Sequence, residues 1–246
     1  RHIDGSGVCY SSRLRPMLNF RPSYNFPPLA KGRGSPHLLS ADLHLLDWME
    51  HEGHSFDVIA DEDLHNEGTS LLRPYKVIVS GTHPEYWSMS MLDGMEEYLF
   101  GGGRLAYLGG NGFYWVTSVE KEFGHTVEVR RWGGTQTWEA APGEYHHSTT
   151  GELGGLWRNR GRAPQKLVGV GMTSQGYDKN APYHRSRDSF DPRAKFIFEG
   201  IPHDEAIGDF PSLVMEHGAA GFEIDRADSS LGTPKHAFIV ATATEY

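Results

Sequence analysis

Residues 75–108, YKVIVSGTHPEYWSMSMLDGMEEYLFGGGRLAYL, decide the fold class. The stretch opens on a short apolar strand, residues 75–80, which ends at Gly81. A helix is predicted from Ser88, because apolar residues recur at helical spacing up to a run of three glycines. A further strand covers residues 104–108. Strand, helix and strand with short glycine-marked connections predict a parallel sheet flanked by helices.

The same pattern extends toward the N-terminus. Ser40 is predicted to cap a helix over residues 41–52, which stops at Gly53. Residues 56–60 predict a buried strand, and residues 61–67 an acidic loop. We therefore interpret the first 120 residues as α/β, a doubly wound and mostly parallel sheet that follows a loop-like N-terminal segment.

The second half of the chain is less regular in sequence. Residues 120–190 are polar and rich in glycine and tryptophan, which predicts a long irregular insertion that covers one edge of the sheet. Strands are predicted again at residues 195–198, 212–215 and 236–241. No internal repeat divides the chain, so we expect a single domain over residues 1–246. Because the sequence stops directly after a strand-like run, we also expect it to be a fragment of a longer protein.

Composition restricts the function classes. The chain has 246 residues, of which 38% are apolar, and its net charge is −9. An acidic chain without basic runs is a poor candidate for sequence-independent binding of nucleic acid. No apolar stretch approaches the roughly 20 residues that span a bilayer, so we expect no membrane span and a cytoplasmic location. The single cysteine, Cys9, excludes an intramolecular disulfide and a cysteine-based zinc site.

Polar residues follow the predicted strands, where doubly wound sheets bind their ligands. His83 and Glu85 come after the strand at 75–80. Glu85 could ligate a metal or act as a base, and His83 could hold a water or take its proton. Alternatively, Glu85 caps the helix that begins near Ser88. Asn111, after the strand at 104–108, could donate its amide to an oxyanion or simply occupy a left-handed turn.

Other polar groups carry weaker signals. Three alternating residues of the acidic loop could suit a metal, although helix capping in a solvated turn is favoured: Asp63, His65 and Glu67. Cys9 lacks the strand–turn–helix surroundings of a thiol nucleophile, and a lone cysteine is usually inert. His146 and His147 match no metal spacing and are expected at the surface. Arg130 and Arg131 are interpreted as a structural or rim pair.

Six stretches in order along nearly the whole chain resemble the large subunit of N,N-dimethylformamidase. They are YSSRLRP at 10–16, DEDLH at 61–65, HPEYWS at 83–88, YLGGNGFYW at 107–115, GGLWR at 154–158 and GAAGFEIDR at 218–226. The resemblance implies a glutamine-amidotransferase-like fold, in agreement with the predicted sheet. It also implies that the cysteine nucleophile of glutamine amidotransferases is absent.

The resemblance further implies a mononuclear ferric iron held by two tyrosinates and one glutamate. The glutamate falls on Glu85. One tyrosine falls on Tyr10, with Tyr24 as the weaker candidate. The second tyrosine has no match in this sequence, and we expect it before Arg1. Phenolate and carboxylate oxygens are donors that suit ferric iron.

Three more site residues follow from the resemblance: the active-site histidine on His83, the asparagine on Asn111 and a further acidic residue on Glu223. Iron would polarise a formyl oxygen and lower the pKa of a bound water. His83 or Glu223 would then move protons, while Asn111 holds the oxyanion. Three aromatic residues are expected to wall a small apolar pocket: Trp87, Phe113 and Trp115.

The function expected on this basis is an iron-dependent amidohydrolase. It would hydrolyse a small N-substituted formamide, such as N,N-dimethylformamide, to formate and an amine. The resemblance also implies a small partner subunit and a homo-oligomer. Two alternatives stay open: a non-catalytic glutamine-amidotransferase-like domain for binding or assembly, for example in carbohydrate recognition, and a metal-free hydrolase that uses Cys9.

Overall fold

A computed structural model describes residues 2–17, 20, 38–122, 124–134, 138–211 and 217–244. The helices in them are α1 (Leu39–His51), α2 (Asp61–Glu67), α3 (Thr69–Leu72), α4 (Met89–Phe100) and α5 (Pro164–Val168). Short 3-10 helices cover Trp157–Arg160, Arg187–Phe190 and Lys195–Phe198. None of the helices in these ranges has the length and apolar character needed to cross a membrane.

Most strands of the described residues are two or three residues long, β8 and β10 are longer, and most strands are paired in twos. They are β1 (Tyr10–Ser12), β2 (Val77–Val79), β3 (Tyr86–Trp87), β4 (Arg104–Ala106), β5 (Trp115–Val116), β6 (Ser118–Val119), β7 (Thr126–Glu128), β8 (Gly171–Ala181), β9 (His184–Arg185), β10 (Ala220–Arg226) and β11 (Ala241–Thr242). The pairs β2–β4 and β3–β5 are parallel. Antiparallel pairing joins β1, β7 and β6, and also β8 with β10 and β9 with β11.

Helix α4 lies between the partners of both parallel pairs along the chain. Parallel neighbours require a crossover of a dozen or more residues, and α4 supplies most of it. Val77 lies opposite Arg104, and Tyr86 lies opposite Trp115. This arrangement places the segments after β2 and β4 side by side. The doubly wound architecture and the single domain stay predictions.

The elements with the strongest periodicity are confirmed. Helix α1 and strands β2 and β4 each begin and end within two residues of the predicted positions. Helix α4 begins after Ser88, whose hydroxyl accepts a hydrogen bond from the Met91 amide at 3.3 Å. That hydroxyl satisfies one of the unpaired amides of the first turn. Ser40, by contrast, lies inside α1 and does not cap it.

Several predictions for weaker patterns are wrong. Residues 56–60 form no strand, and Val58 is 67% exposed. Residues 61–67 form α2 and not a loop, because three acidic residues in the first turn favour a helix N-terminus. The 3-10 helix Lys195–Phe198 replaces a predicted strand, and within 236–241 only Ala241 is in a strand. The insertion at 120–190 contains the 11-residue strand β8. The strand predicted at 212–215 lies outside the described residues.

The main core forms on the buried side of α4. Trp87 stacks on Phe113 with their ring centroids 4.3 Å apart, and the indole N–H of Trp157 donates to the Trp87 carbonyl at 2.9 Å. The other buried members of this core are Leu64, Leu72, Met91, Leu92, Met95, Tyr98 and Val116. All three aromatic residues expected around a pocket are buried: Trp87 and Phe113 pack in this core, and Trp115 packs in a second cluster with Tyr114, Leu156 and Met172. Their role as a pocket wall stays a prediction.

Replacing Gly94 with Ala in α4 is expected to destabilise the protein by about 1–3 kcal/mol. Alanine normally stabilises a helix relative to glycine. Here, a Cβ at position 94 would lie 2.9 Å from the Gly68 Cα and from the Thr69 nitrogen, because the two backbones touch. Urea unfolding measures the change. Phe100→Ala, at an 83% exposed position of the same helix, is the control and should change the stability by less than about 0.5 kcal/mol. An unchanged or increased stability of the Gly94 variant would contradict the close contact.

Candidate active site

The first element of the site is the segment that follows β2. Asp42 of α1 holds this segment, because its carboxylate accepts hydrogen bonds from the Thr82 amide at 2.8 Å and from the Thr82 hydroxyl at 2.9 Å. Gly81 has no Cβ, which would otherwise lie 2.9 Å from an Asp42 oxygen. The chain then presents His83 and Glu85 before it enters β3. Helix α1 thus fixes the start of the segment that carries both side chains.

The second element is the turn at residues 109–112, after β4. A Cβ on Gly109 would lie 2.6 Å from the Pro84 Cδ atom, so the turn lies directly against the His83 segment. The Phe113 amide donates to the Pro84 carbonyl at 2.8 Å, and the Trp115 amide donates to the Glu85 carbonyl at 2.8 Å. Asn111 has a φ of 57°, in the left-handed region. Asn111 therefore occupies the left-handed turn that was one of its two interpretations, and this turn lies next to the candidate residues.

Strand β10 supplies the third element. It pairs with β8, and the register shifts at Gly221/Phe222 and at Ile224/Asp225. Such bulges bend a strand and redirect its side chains. The β10 backbone passes close to the turn at 109–112, since a Cβ on Gly110 would lie 3.0 Å from the Glu223 carbonyl oxygen. Glu223 is thereby brought to residues more than a hundred positions earlier in the chain.

The three elements join His83, Glu85 and Glu223 in one cluster. The His83 Nδ1 atom lies 3.6 Å from a carboxylate oxygen of Glu85 and 3.6 Å from one of Glu223. One ligand atom from each residue lies within 4.8 Å of the others. The side chains are between 9% and 17% exposed, so the cluster is largely buried but reachable from solvent. Two carboxylates and an imidazole at this spacing could hold a cation, and they could also exchange protons with one another.

Burial makes the charges of this cluster interact strongly. Burial raises the pKa of Glu223 to about 7, and the negative charge of Glu85 adds to the increase. Burial alone would lower the pKa of His83, but Glu85 and Glu223 outweigh that effect and the pKa is raised. Two carboxylates that approach each other out of water favour a shared proton or a cation. The electrostatics agree with the donor geometry.

Asn111 is 5% exposed and lies beside Glu223. A hydrogen bond from its side chain opposes the increase in the pKa of Glu223, although burial dominates. The Asn111 side-chain oxygen is buried and has no hydrogen-bond partner among the described residues. Its backbone amide donates to an Asp225 carboxylate oxygen at 2.9 Å. Asn111 is therefore fixed at the backbone and directed toward the cluster.

Tyr10 lies apart from these contacts. It is on β1, 45% exposed, and its hydroxyl is hydrogen bonded to Ser148 and receives a hydrogen bond from Arg130 at 2.9 Å. Among the described residues its side chain contacts Ser148 and Arg130, which lie outside the cluster, so its assignment as a ligand stays a prediction. Tyr24 lies outside the described residues. Burial raises the pKa of the Cys9 thiol, which is the opposite of what activates a nucleophile.

The other polar groups have structural contacts. The Asp63 carboxylate accepts from the Ala60 amide at 2.9 Å at the start of α2, in agreement with a capping role. His146 is exposed as expected, whereas His147 is 1% exposed and contacts the Ser118 hydroxyl. The surface assignment of His147 is therefore wrong. Arg130 pairs with the buried Glu128 at 2.6 Å, which supports a structural role.

Three residues that hold the site together were not predicted from the sequence: Asp42, Tyr107 and Asp225. The Tyr107 hydroxyl donates to Asp225 at 2.7 Å, and burial raises the pKa of both groups. Tyr107 and Asp225 are part of the stretches at 107–115 and 218–226, so the signal was present, but no spacing rule connects them. Their pairing depends on the bulged course of β10.

Comparison with known proteins gives a family match over nearly the whole chain. A family model described as "N,N-dimethylformamidase beta subunit-like, C-terminal" matches residues 2–246. The N,N-dimethylformamidase beta subunit of Paracoccus aminophilus is 46% identical over 245 residues, which cover 100% of this chain and 31% of that protein. The protein of the same name from Alcaligenes sp is 45% identical with the same coverage. The chain thus spans about a third of the length of these curated relatives.

Proposed function

The chain belongs to the N,N-dimethylformamidase beta subunit-like C-terminal family, and we propose that it forms the metal-binding catalytic segment of an amidohydrolase. The substrate class is a small N-substituted formamide such as N,N-dimethylformamide, and the products are formate and an amine. The observation that carries the proposal is the convergence of His83, Glu85 and Glu223 from distant parts of the chain. Hydrolysis of an amide needs polarisation of the carbonyl, a nucleophilic water and proton transfer to the leaving amine.

The donor chemistry fits a hard cation, and we propose a mononuclear ferric iron. Carboxylate oxygens suit such an ion. Burial and the nearby Glu85 charge raise the pKa of Glu223, and a bound cation would offset the cost of holding carboxylates together out of water. Glu85 is the proposed carboxylate ligand, and Tyr10 the proposed tyrosinate. When bound, the metal supplies Lewis-acid polarisation of the amide oxygen and lowers the pKa of a water. A second tyrosine ligand has no assigned position in this chain.

The remaining groups act on the substrate and its protons. His83, between the two carboxylates, orients a water and takes its proton. Glu223 lies within reach of His83 and delivers a proton to the amine that leaves. The Asn111 side chain, already directed toward the cluster, stabilises the negative oxygen that forms on the amide carbon. A partner subunit belongs to the same proposal, because both relatives are named as a beta subunit. The small size of that partner and a homo-oligomeric assembly are proposed from the family resemblance alone.

Metal content, the visible absorption spectrum and formate release together test this proposal. We expect stoichiometric iron, a tyrosinate-to-iron absorption band and release of formate from N,N-dimethylformamide. Tyr10→Phe should remove or shift the absorption band if Tyr10 is a ligand. Tyr183→Phe, at an exposed tyrosine outside the proposed site, is the matched control and should leave it unchanged.

Different results would contradict different parts of the proposal. Formate release without bound iron would contradict the metal but keep the reaction. An unchanged band in Tyr10→Phe would remove Tyr10 from the ligand set. A protein that has neither iron nor formamide hydrolysis would favour a binding or assembly domain. Activity that requires Cys9 would favour the thiol hydrolase, and Cys9→Ser measures that directly.

A further inference from the structure

One side-chain pair connects the turn at 109–112 to strand β10. The Tyr107 hydroxyl donates a hydrogen bond to one Asp225 oxygen at 2.7 Å and accepts one from the Gly112 amide at 2.6 Å. The other Asp225 oxygen accepts from the Asn111 amide at 2.9 Å. Both Asp225 oxygens thus accept hydrogen bonds, and the Tyr107 hydroxyl both donates and accepts one. These bonds connect Tyr107, the turn at 109–112 and β10.

The turn needs such support, because its backbone is unfavourable. Asn111 has a φ of 57°, which asparagine tolerates better than most residues, and Phe113 has a φ of 56°, which a bulky residue rarely adopts. Conformations of this kind persist only where the surroundings hold them. The Tyr107 ring also contacts the Phe113 ring edge to face, with centroids 5.7 Å apart. The phenol and the carboxylate therefore act on the strained residues.

We propose that Tyr107 and Asp225 are positioning residues, which hold the Asn111 side chain at the reacting centre beside Glu223. The inference rests on the proposed function and adds to it a pair of residues that need not touch substrate or metal. Asp225 lies two positions after Glu223 on β10, and it binds the backbone of Asn111. The Asp225 carboxylate thus sets the distance between Asn111 and Glu223, which the proposed reaction needs close together. A small displacement of such a group is costly in rate, because the oxyanion is stabilised only by well-placed donors.

The test uses Tyr107→Phe in the whole protein, because this change removes the hydroxyl and keeps the ring. We expect kcat to fall about tenfold while KM stays within about twofold, since the loss affects the transition state and not substrate binding. Tyr98→Phe is the matched control. Tyr98 is also buried and its hydroxyl donates to the Tyr75 carbonyl at 3.0 Å, but that bond lies in the core, so kcat should not change.

A double-mutant cycle tells positioning from general stabilisation. Asn111→Gly removes the side chain and tolerates the left-handed backbone. If Tyr107 acts through Asn111, Tyr107→Phe should lower kcat by less than about twofold in the Asn111→Gly protein, because residues that act as a unit are not additive. Additive effects of the two changes would overturn the proposal. So would an unchanged kcat in Tyr107→Phe.

Hydrogen exchange gives a readout that does not depend on activity. The amides of Asn111 and Gly112 donate hydrogen bonds to Asp225 and Tyr107. Peptides that cover residues 109–114 should therefore exchange faster in Tyr107→Phe than in the wild type, and at the wild-type rate in Tyr98→Phe. Equal exchange in the wild type and in Tyr107→Phe would overturn the positioning role. Absence of amide hydrolysis in the wild type, with faster exchange in the variant, would instead overturn the proposed function and leave the structural part of the inference intact.

Discussion

Glu85→Gln is expected to lower kcat/KM for N,N-dimethylformamide by about a thousandfold and to remove most of the bound iron. The amide keeps the size of the side chain but loses the negative charge that a hard cation requires. Glu85 also has a carboxylate oxygen 3.6 Å from the His83 Nδ1 atom, so the change alters the surroundings of the proton-transfer group as well as the metal. Steady-state kinetics and metal analysis on the same preparation measure both effects.

Two comparison variants make this prediction specific. Glu67→Gln changes an exposed glutamate at the end of α2 and should keep full activity and iron. Glu223→Gln changes the other carboxylate of the cluster, to which we assign proton transfer and no metal bond. It should therefore lose activity but retain iron. Iron retained in Glu85→Gln, or lost equally in both cluster variants, would show that the division of roles between the carboxylates is wrong.

The parts of the fold that the sequence predicts are those with local causes. Helix α4 has a serine cap and apolar residues that recur at helical spacing along one face. Both signals lie within 13 consecutive residues. The position of His83 and Glu85 follows equally from the end of β2. The apolar run at Lys195–Phe198 carries no such information, because four residues of this kind fit a strand or a short helix equally well. Phe198 is the only buried residue of the four.

The acidic segment at 61–67 shows a different limit. Its charges suggested a solvated loop, although the same acidic residues stabilise the first turn of a helix. Leu64 is the residue that distinguishes a packed helix from a solvated loop, because it is 5% exposed and packs in the core beside α4. A single buried leucine in seven residues is too little periodicity to recognise without the partner surface.

The site itself required more than local patterns. Glu223 was assigned from a family resemblance, and no spacing rule places it near Glu85. Strand β10 reaches the cluster through two register shifts and a left-handed residue, Phe222, with a φ of 66°. Bulges disturb the alternation on which strand predictions rest. The bonds of Tyr107 and Asp225 were missed for the same reason.

The largest change in stability is expected for Glu128→Gln, at about 3–5 kcal/mol. Glu128 ends β7 and is 0% exposed. Its carboxylate pairs with the Arg130 Nε atom at 2.6 Å, and it accepts from the Ser148 amide at 3.0 Å and the Thr149 amide at 2.9 Å. The Thr149 hydroxyl also donates to it. A glutamine amide would leave Arg130 without its buried counterion and would present N–H groups to donors.

Glu144→Gln is the matched control for this variant. Glu144 pairs with the same arginine, with the Arg130 Nη1 atom 3.3 Å from its carboxylate, but its side chain is 65% exposed. Exposed ion pairs contribute little, so its loss should cost less than about 1 kcal/mol. Urea unfolding at pH 7 compares the two variants. Similar losses in both would mean that burial of Glu128 has no energetic consequence.

The pH dependence of the difference between wild type and Glu128→Gln provides a second, independent check. Burial alone would raise the pKa of Glu128, but its hydrogen bonds with Thr149, Ser148 and Arg130 lower it to about 2 from a usual value of 4.5. A group whose pKa is lowered by folding contributes its full stabilisation above the unfolded-state value, and that contribution is lost as the pH falls toward the folded-state value. The difference in unfolding free energy should therefore be constant above about pH 5 and shrink steadily from there toward pH 2. A difference that stays constant down to pH 2 would mean that the glutamate acts through its shape and not through its charge.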